Sequence, residues 1–286
     1  MNAETTRFAP SPSGLLHRGH AFAALFAARA AGPGGTFLVR FEDIDTGRCK
    51  PEYEAAILDD LAWLGLTPAA APWRQSERFF AYEAALDTLR ERALLYPCFC
   101  TRKEIAAEIA RAASAPHFTN LMGPDGPLYP GTCRHLTDAE RRARIERGAA
   151  FAWRLDSARA IEAAGPLTWE DALRGPIRAT PDIHGDAVLA RKDTPASYHL
   201  SVVVDDAAQG VTLVTRGEDL EPATHLQALL QALLTLPRPR YRHHRLILDA
   251  QGKRLAKRDA SESLASLRES GVSAAALIAG FEKDLP

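Results

Sequence analysis

The chain has 286 residues, 46% of them hydrophobic and 25% charged, with a formal net charge of −1. That is ordinary globular composition, long enough for one large domain or two modest ones. It excludes a uniformly basic RNA binder, so any nucleic acid must meet a local basic surface. No apolar run is long enough for a bilayer, the N-terminus lacks a signal-peptide pattern, and four cysteines do not make a disulfide scaffold. A soluble, cytoplasmic protein is expected.

The first predicted helix is HAFAALFAARAAG, stopped by the glycines and proline at 32–35. TFLVRF (36–41) follows as a short buried strand. PEYEAAILDDLAWLGL is amphipathic and opens on Pro51, a good first helical residue. SERFFAYEAALDTLRERALLY is a further helix with Ser76 as its expected cap. Strands alternating with helices predict an α/β fold with a parallel, Rossmann-type sheet.

From residue 96 the character changes. YPCFCTRKEI leads into a helix and then a loop rich in proline and glycine. TDAERRARIERG is a charged helix capped by Thr137 or Asp138, and FAWRLD, PLTWEDALRGPI and AVLARKD read as short strands and turns. Residues 96–190 are expected to form an inserted α+β subdomain. YHLSVVVDDAAQGVTLVTRG is apolar and β-branched and is expected to resume the sheet. HLQALLQALL is a helix, RLILDAQ a strand, and QGKRLAKRD a basic loop; the tail is one or two short helices.

The stretch RFAPSPSGLLHRGH (7–20) places two histidines around a glycine at a helix start. A helix N-terminus offers unpaired N–H groups and a positive dipole end, which suit phosphate. Gly19 lets a ligand approach the backbone. His17 and His20 could donate to phosphate oxygens, or simply cap the helix. The loop with Lys253, Arg254, Lys257 and Arg258 is, by itself, a solvated basic segment.

Together and in this order, these motifs resemble the paired signatures of class I aminoacyl-tRNA synthetases, a His-x-Gly-His helix start and a Lys-Met-Ser-Lys-Ser loop. RFAPSPSGLLHRGH is similar to the opening of glutamyl-tRNA synthetases, and VRFEDIDTGR (39–48) and VVVDD…VTRGEDL (202–220) match that family too. The resemblance covers most of residues 7–258. Full-length members carry a large helical anticodon-binding region after the basic loop, whereas residues 259–286 are too few for a domain with its own core. The chain thus resembles the truncated glutamyl-queuosine tRNA(Asp) synthetases.

The resemblance implies a discontinuous catalytic domain (1–95 and 191–258), a zinc-bearing insertion (96–190) and a short helical tail (259–286). It implies ATP with Mg2+, L-glutamate and queuosine-containing tRNA(Asp) as partners, no membrane, and a monomer. His17, His20 and Lys257 become the catalytic residues, with Gly19 and Arg254 completing the ATP site. Arg7, Ser11, Glu42, Tyr198 and Arg216 fall on glutamate-binding positions. Guanidinium suits carboxylates as a fork, and Glu42 offers a counter-charge for the ammonium. The loop departs from the family pattern: Arg254 replaces the first lysine and Ala256 the serine, so weaker loop closure is expected.

Cys98, Cys100 and Cys133 need a fourth ligand for one tetrahedral Zn2+. By residue type alone they fit a zinc site or buried cysteines equally. The resemblance points to Tyr129 as the fourth ligand of a structural site, with His117 and His135 as rivals. Cys49 reads as an ordinary thiol. Arg141, Arg142, Arg144 and Arg147 could touch RNA backbone or simply face solvent. The alternatives to queuosine glutamylation are a minimal glutamyl-tRNA synthetase charging a 3′ end, an amino-acid ligase acting on a small molecule, and a non-catalytic RNA-binding paralogue.

Overall fold

A computed structural model describes residues 3–113, 122–247 and 262–286. The chain begins with β1 (Thr5–Phe8), α1 (Arg18–Ala30), β2 (Thr36–Phe41), α2 (Pro51–Trp63), β3 (Trp73–Arg74) and α3 (Phe79–Glu91). Next come β4 (Leu95–Cys98), α4 (Arg102–Ala113), β5 (Met122–Gly123), β6 (Gly126–Pro127), α5 (Asp138–Glu146) and β7 (Ala152–Leu155). They are followed by α6 (Ser157–Ala164), β8 (Thr168–Asp171), β9 (Gly175–Arg178) and β10 (Val188–Arg191). The chain closes with α7 (Tyr198–Ala208), β11 (Leu213–Gly217), α8 (Glu221–Leu233), β12 (Arg240–His244), α9 (Leu264–Glu269) and α10 (Ala274–Ala279).

β1, β2 and β3 pair in parallel, with Arg7 opposite Leu38 and Arg40 opposite Trp73. β11 and β12 are also parallel, and β8 joins β12 in the same direction. Thr212 N donates to Thr5 O, which sets β11 beside β1. The strands then read β3-β2-β1-β11-β12-β8-β9, only β9 running antiparallel to its neighbour. Successive side chains of a strand point to opposite faces. Thr6 Oγ1 donates to Ala27 O of α1, whereas Arg7 reaches Asp206 of α7, so these two helices cover opposite faces. Burial on both faces explains why TFLVRF is nearly continuous in apolar character.

Two apolar cores result. One gathers Phe22, Phe26, Val39, Phe41, Ile57 and Leu61 with Leu264, Leu267, Leu277 and Phe281 of the tail. The tail helices are therefore part of the core over α1 and α2. The other packs α3, α7 and α8 together through Leu86, Leu89, Leu200, Val203, Leu226 and Leu230. A separate antiparallel sheet, β10-β7-β4, carries the cysteine-bearing segment, while β8 and β9, also within 96–190, pair with the parallel sheet.

Three expectations need correction. YHLSVVVDDAA forms helix α7, where a strand pattern was expected. Ser197 caps it by accepting from Leu200 N, and burial of Val202 and Val203 outweighs the weak helix propensity of β-branched residues. Ser76 does not cap α3; its hydroxyl donates to Asp43, and Arg78 holds the cap position. RLILDAQ adds no strand within the described residues, since β12 ends at His244 and 245–247 are irregular. Thr137 caps α5 through a reciprocal box with Glu140, as expected. His117, Arg254, Ala256 and Lys257 lie outside the described residues.

Candidate active site

In open parallel sheets, ligands bind beyond the C-terminal strand ends where strand order reverses. Here that point lies between β1, which continues to β2, and β11, which continues to β12. A cleft of about 990 Å³ is lined there by Ser11 after β1, Glu42 after β2 and Tyr198 at the start of α7.

Arg7 and Arg216 lie beneath on the adjacent strands, and both are buried. Arg7 donates to Asp206 Oδ1 at 2.9 Å and to Thr215 O at 3.1 Å. Arg40, fully buried, donates to the same Asp206 oxygen at 2.7 Å and to Gln209 Oε1 at 2.8 Å. Its Nη2 lies 3.7 Å from Glu42 Oε1. Burial opposes the Asp206 charge, but Arg7 and Arg40 hold the carboxyl below its ordinary range. Glu42 goes the other way: burial pushes its carboxyl up against the pull of Arg40 and Arg7. The neighbouring Asp205 accepts from Arg78 Nε at 2.6 Å, Tyr82 OH at 2.7 Å and Gln75 Nε2 at 3.1 Å.

Arg216 differs from the other two strand arginines. Its guanidinium donates to Thr224 Oγ1 at 2.6 Å, Gln227 Oε1 at 2.8 Å, His243 Nε2 at 3.3 Å and Tyr198 OH at 3.4 Å. It also stands over the Tyr241 ring at 5.3 Å. All these partners are neutral, because burial and then the Arg216 charge push His243 down to about 3. Among the described residues no carboxylate lies within ion-pair distance of Arg216. A buried cation without a counter-ion is costly, and an anionic ligand beside it would relieve that cost.

His17, Gly19 and His20 form a second group at the start of α1. His17 is the helix cap: its Nδ1 accepts from Gly19 N at 3.1 Å, and His20 Nδ1 accepts from His17 N at 3.3 Å. With Nδ1 accepting, each neutral ring carries its proton on Nε2. A Cβ on Gly19 would stand 3.0 Å from His17 Cε1, a tight contact that the His17 ring would have to yield to. The tail closes on this group through a bridge from Ser263 to His17 and a bond from Leu264 N to Leu16 O.

Cys98, Cys100 and Cys133 bring their sulfurs within 4.8 Å of one another. Cys100 Sγ lies 3.4 Å from Cys133 Sγ and 3.4 Å from Tyr129 OH, which also accepts from Cys133 N. Burial pushes the Cys100 thiol up to about 12. Three soft donors and a phenol oxygen in this arrangement could hold a metal ion. His135, on a short 3-10 turn, is exposed and is not part of the group.

Sequence reasoning missed Arg40, Asp205 and Asp206 as supports of the site. The clue was present: an arginine inside TFLVRF and two aspartates ending an apolar run are costly to bury unless they meet each other.

Residues 4–283 match the family of class I tRNA synthetases for Glu and Gln (E and Q), catalytic domain. A glutamyl-Q tRNA(Asp) synthetase of Rhodobacter capsulatus is 50% identical over 279 residues, covering 94% of this chain and 96% of that one. The chain belongs to this family. Another member of the glutamyl-Q tRNA(Asp) synthetase group, from Leptothrix cholodnii, is 45% identical, covering 98% of this chain and 91% of the relative. Among solved structures, a glutamate tRNA ligase from Elizabethkingia meningosepticum, in complex with its amino acid, superposes with a TM-score of 0.73 at 29% identity. That match covers 90% of this chain and 52% of the ligase, so the chain spans about half the length of that relative. As a member of this class I synthetase family, the chain is a ligase of the aminoacyl-tRNA synthetase type. No helix among the described residues is long and apolar enough to cross a membrane.

Proposed function

We propose that the chain joins L-glutamate to ATP as glutamyl-adenylate and transfers the glutamyl group to queuosine in the anticodon loop of tRNA(Asp). The observation that carries the glutamate assignment is Arg216, a buried guanidinium with only neutral protein partners, beside a cleft lined by Ser11, Glu42 and Tyr198. The names of the relatives supply the acceptor.

Arg216 and the Tyr198 hydroxyl take one carboxylate of glutamate, and Arg7 and Ser11 lie on the side of the other. Glu42 faces the ammonium, whose charge would draw its raised carboxyl back towards ionisation. An α-carboxylate oxygen attacks the α-phosphorus of ATP, and the bond to pyrophosphate breaks. The substrates supply nucleophile and leaving group, so the protein contributes positioning and charge stabilisation. His17 and His20 offer Nε2–H donors to the phosphates, and Gly19 leaves the helix start accessible. Lys257 and Arg254 meet the departing pyrophosphate in this reading. Magnesium carried with ATP supplies further charge neutralisation. A queuosine hydroxyl then attacks the glutamyl carbonyl carbon and AMP leaves. Cys98, Cys100, Tyr129 and Cys133 hold one structural zinc ion, which pins the end of β4 to the segment 129–133.

Glutamate-dependent exchange of labelled pyrophosphate into ATP tests the activation half. Arg216→Gln should raise the KM for glutamate about 100-fold, the scale of a lost charge-assisted pair, with the fold retained. Unchanged glutamate dependence in that variant would refute the assignment.

A further inference from the structure

The same cleft is also lined by Asp125, His184 and His199, the last directly following Tyr198 on α7. Three separate elements bring them together. Asp125 sits in the turn between β5 and β6, His184 ends the 3-10 segment Pro181–His184, and His199 lies in the first turn of α7. The approach is close: a Cβ on Gly123 would lie 2.5 Å from Ile183 O, so only glycine lets the hairpin settle beside His184.

His184 Nδ1 lies 2.8 Å from Asp125 Oδ2, and His199 Nε2 lies 3.3 Å from the same oxygen. His184 Nε2 is 2.9 Å from Pro222 O, an acceptor, so that nitrogen carries the ring proton. The Nδ1 lone pair of the neutral ring then faces a carboxylate oxygen at contact distance. Two acceptors hold that position only with a cation between them. A second ring proton is one such cation and a metal ion is another.

Three features favour the metal. Two imidazoles and a carboxylate are a zinc-binding donor set that leaves a position for water. Bonds of about 2.0–2.1 Å at tetrahedral or right angles separate donors by about 2.9–3.4 Å; the 3.3 Å separation of His199 from Asp125 falls in that range, and the 2.8 Å separation of His184 from Asp125 lies just below it. The bond to Pro222 O is the backbone contact that fixes the tautomer of a metal-binding histidine. Asp125 remains 64% exposed, which leaves an entry path from the cleft, while His184 is buried.

We propose that Asp125, His184 and His199 bind a divalent transition-metal ion of the zinc type, with donors distinct from the thiol cluster and an open position towards the cleft. Bound there, the ion fastens a hairpin of two-residue strands to α7, next to Tyr198.

The test is zinc stoichiometry of the purified full chain, measured by elemental analysis after equilibration with zinc and removal of loosely held metal. Wild type should carry two zinc ions per chain. Asp125→Asn and His199→Gln should each carry one, and should keep the thiolate-to-cobalt absorption band after cobalt exchange. Asp125 is an exposed turn residue, so its variant tests the site without disturbing the core. Zinc content unchanged from wild type in both variants would overturn the proposal and leave a proton between His184 and Asp125. Loss of one zinc ion in these variants with no change in Cys133→Ser would instead remove the thiol-site reading and leave this one standing.

Discussion

The C-terminal strand ends of the parallel sheet and the thiol cluster both keep polar side chains under cover, but they recruit different partners. At the strand ends, Arg7 and Arg40 share Asp206, and Asp205 receives Arg78, Tyr82 and Gln75, beside two large apolar cores. Among the described residues, the buried set around the thiols is Tyr96, Cys98, Tyr129 and Cys133. A large core can hold an ionic network whose charges meet opposite charges within the chain. A small one gathers soft donors that a metal would complete. Arg216 differs from both: among the described residues it meets no carboxylate within ion-pair distance, and its hydrogen-bond partners are neutral.

The largest expected effect breaks the ionic side of this comparison. Asp206→Asn removes the one carboxylate that both Arg7 and Arg40 touch, leaving Arg7 with no ion-pair partner and Arg40 with only the longer contacts to Glu42 at 3.7 Å and Asp205 at 3.8 Å. A loss of about 3–5 kcal/mol should appear in urea unfolding. A loss below about 1 kcal/mol would mean that water or Glu42 already compensates them.

Next comes the thiol side. Cys133→Ser should cost the thiol-bearing region about 2–3 kcal/mol and open residues 129–136 to limited proteolysis. The parallel sheet should stay protected, since its cores do not include the thiols. Simultaneous loss of protection in both regions would show that the two are not separate units of stability.

The smallest effect sharpens the contrast inside the large core. Asp60 is buried like Asp206, yet neither of its carboxylate oxygens has a hydrogen-bond partner and Arg268 stands 3.9 Å away. Burial, only partly offset by Arg268, raises its carboxyl to about 6. Above that pH the ionised group destabilises the native state. Between the unfolded value near 4 and about 6, the native form takes up the proton and gains stability. Asp60→Asn should therefore stabilise the chain by about 1 kcal/mol at pH 7, with the gap to wild type narrowing below pH 6 and closing near pH 4. A gap independent of pH would assign the effect to packing instead of charge.

Much of this was legible in the residues. Apolar periodicity located α1, β2 and α2, and Thr137 announced the start of α5, because those elements are specified by near neighbours. α7 was not legible, because three consecutive valines prefer strands and only burial against α3 and α8 makes them helical. In the site, the histidine pair and the three cysteines stood out by spacing. The ionic network did not: Arg7 and Asp206 are 199 positions apart, and Arg40 and Asp206 are 166 apart. Asp125, His184 and His199 are spread in the same way. Only the folded hairpin, turn and helix bring them to one point.

Transfer of glutamate to queuosine is the step on which the proposed function stands. The most direct measurement incubates the protein with labelled glutamate, ATP and magnesium and two preparations of tRNA(Asp), one carrying queuosine and one guanosine at that position, both with blocked 3′ ends. The account predicts label on the queuosine-bearing tRNA alone, despite the blocked end. Label that requires a free 3′ end and ignores queuosine would contradict it.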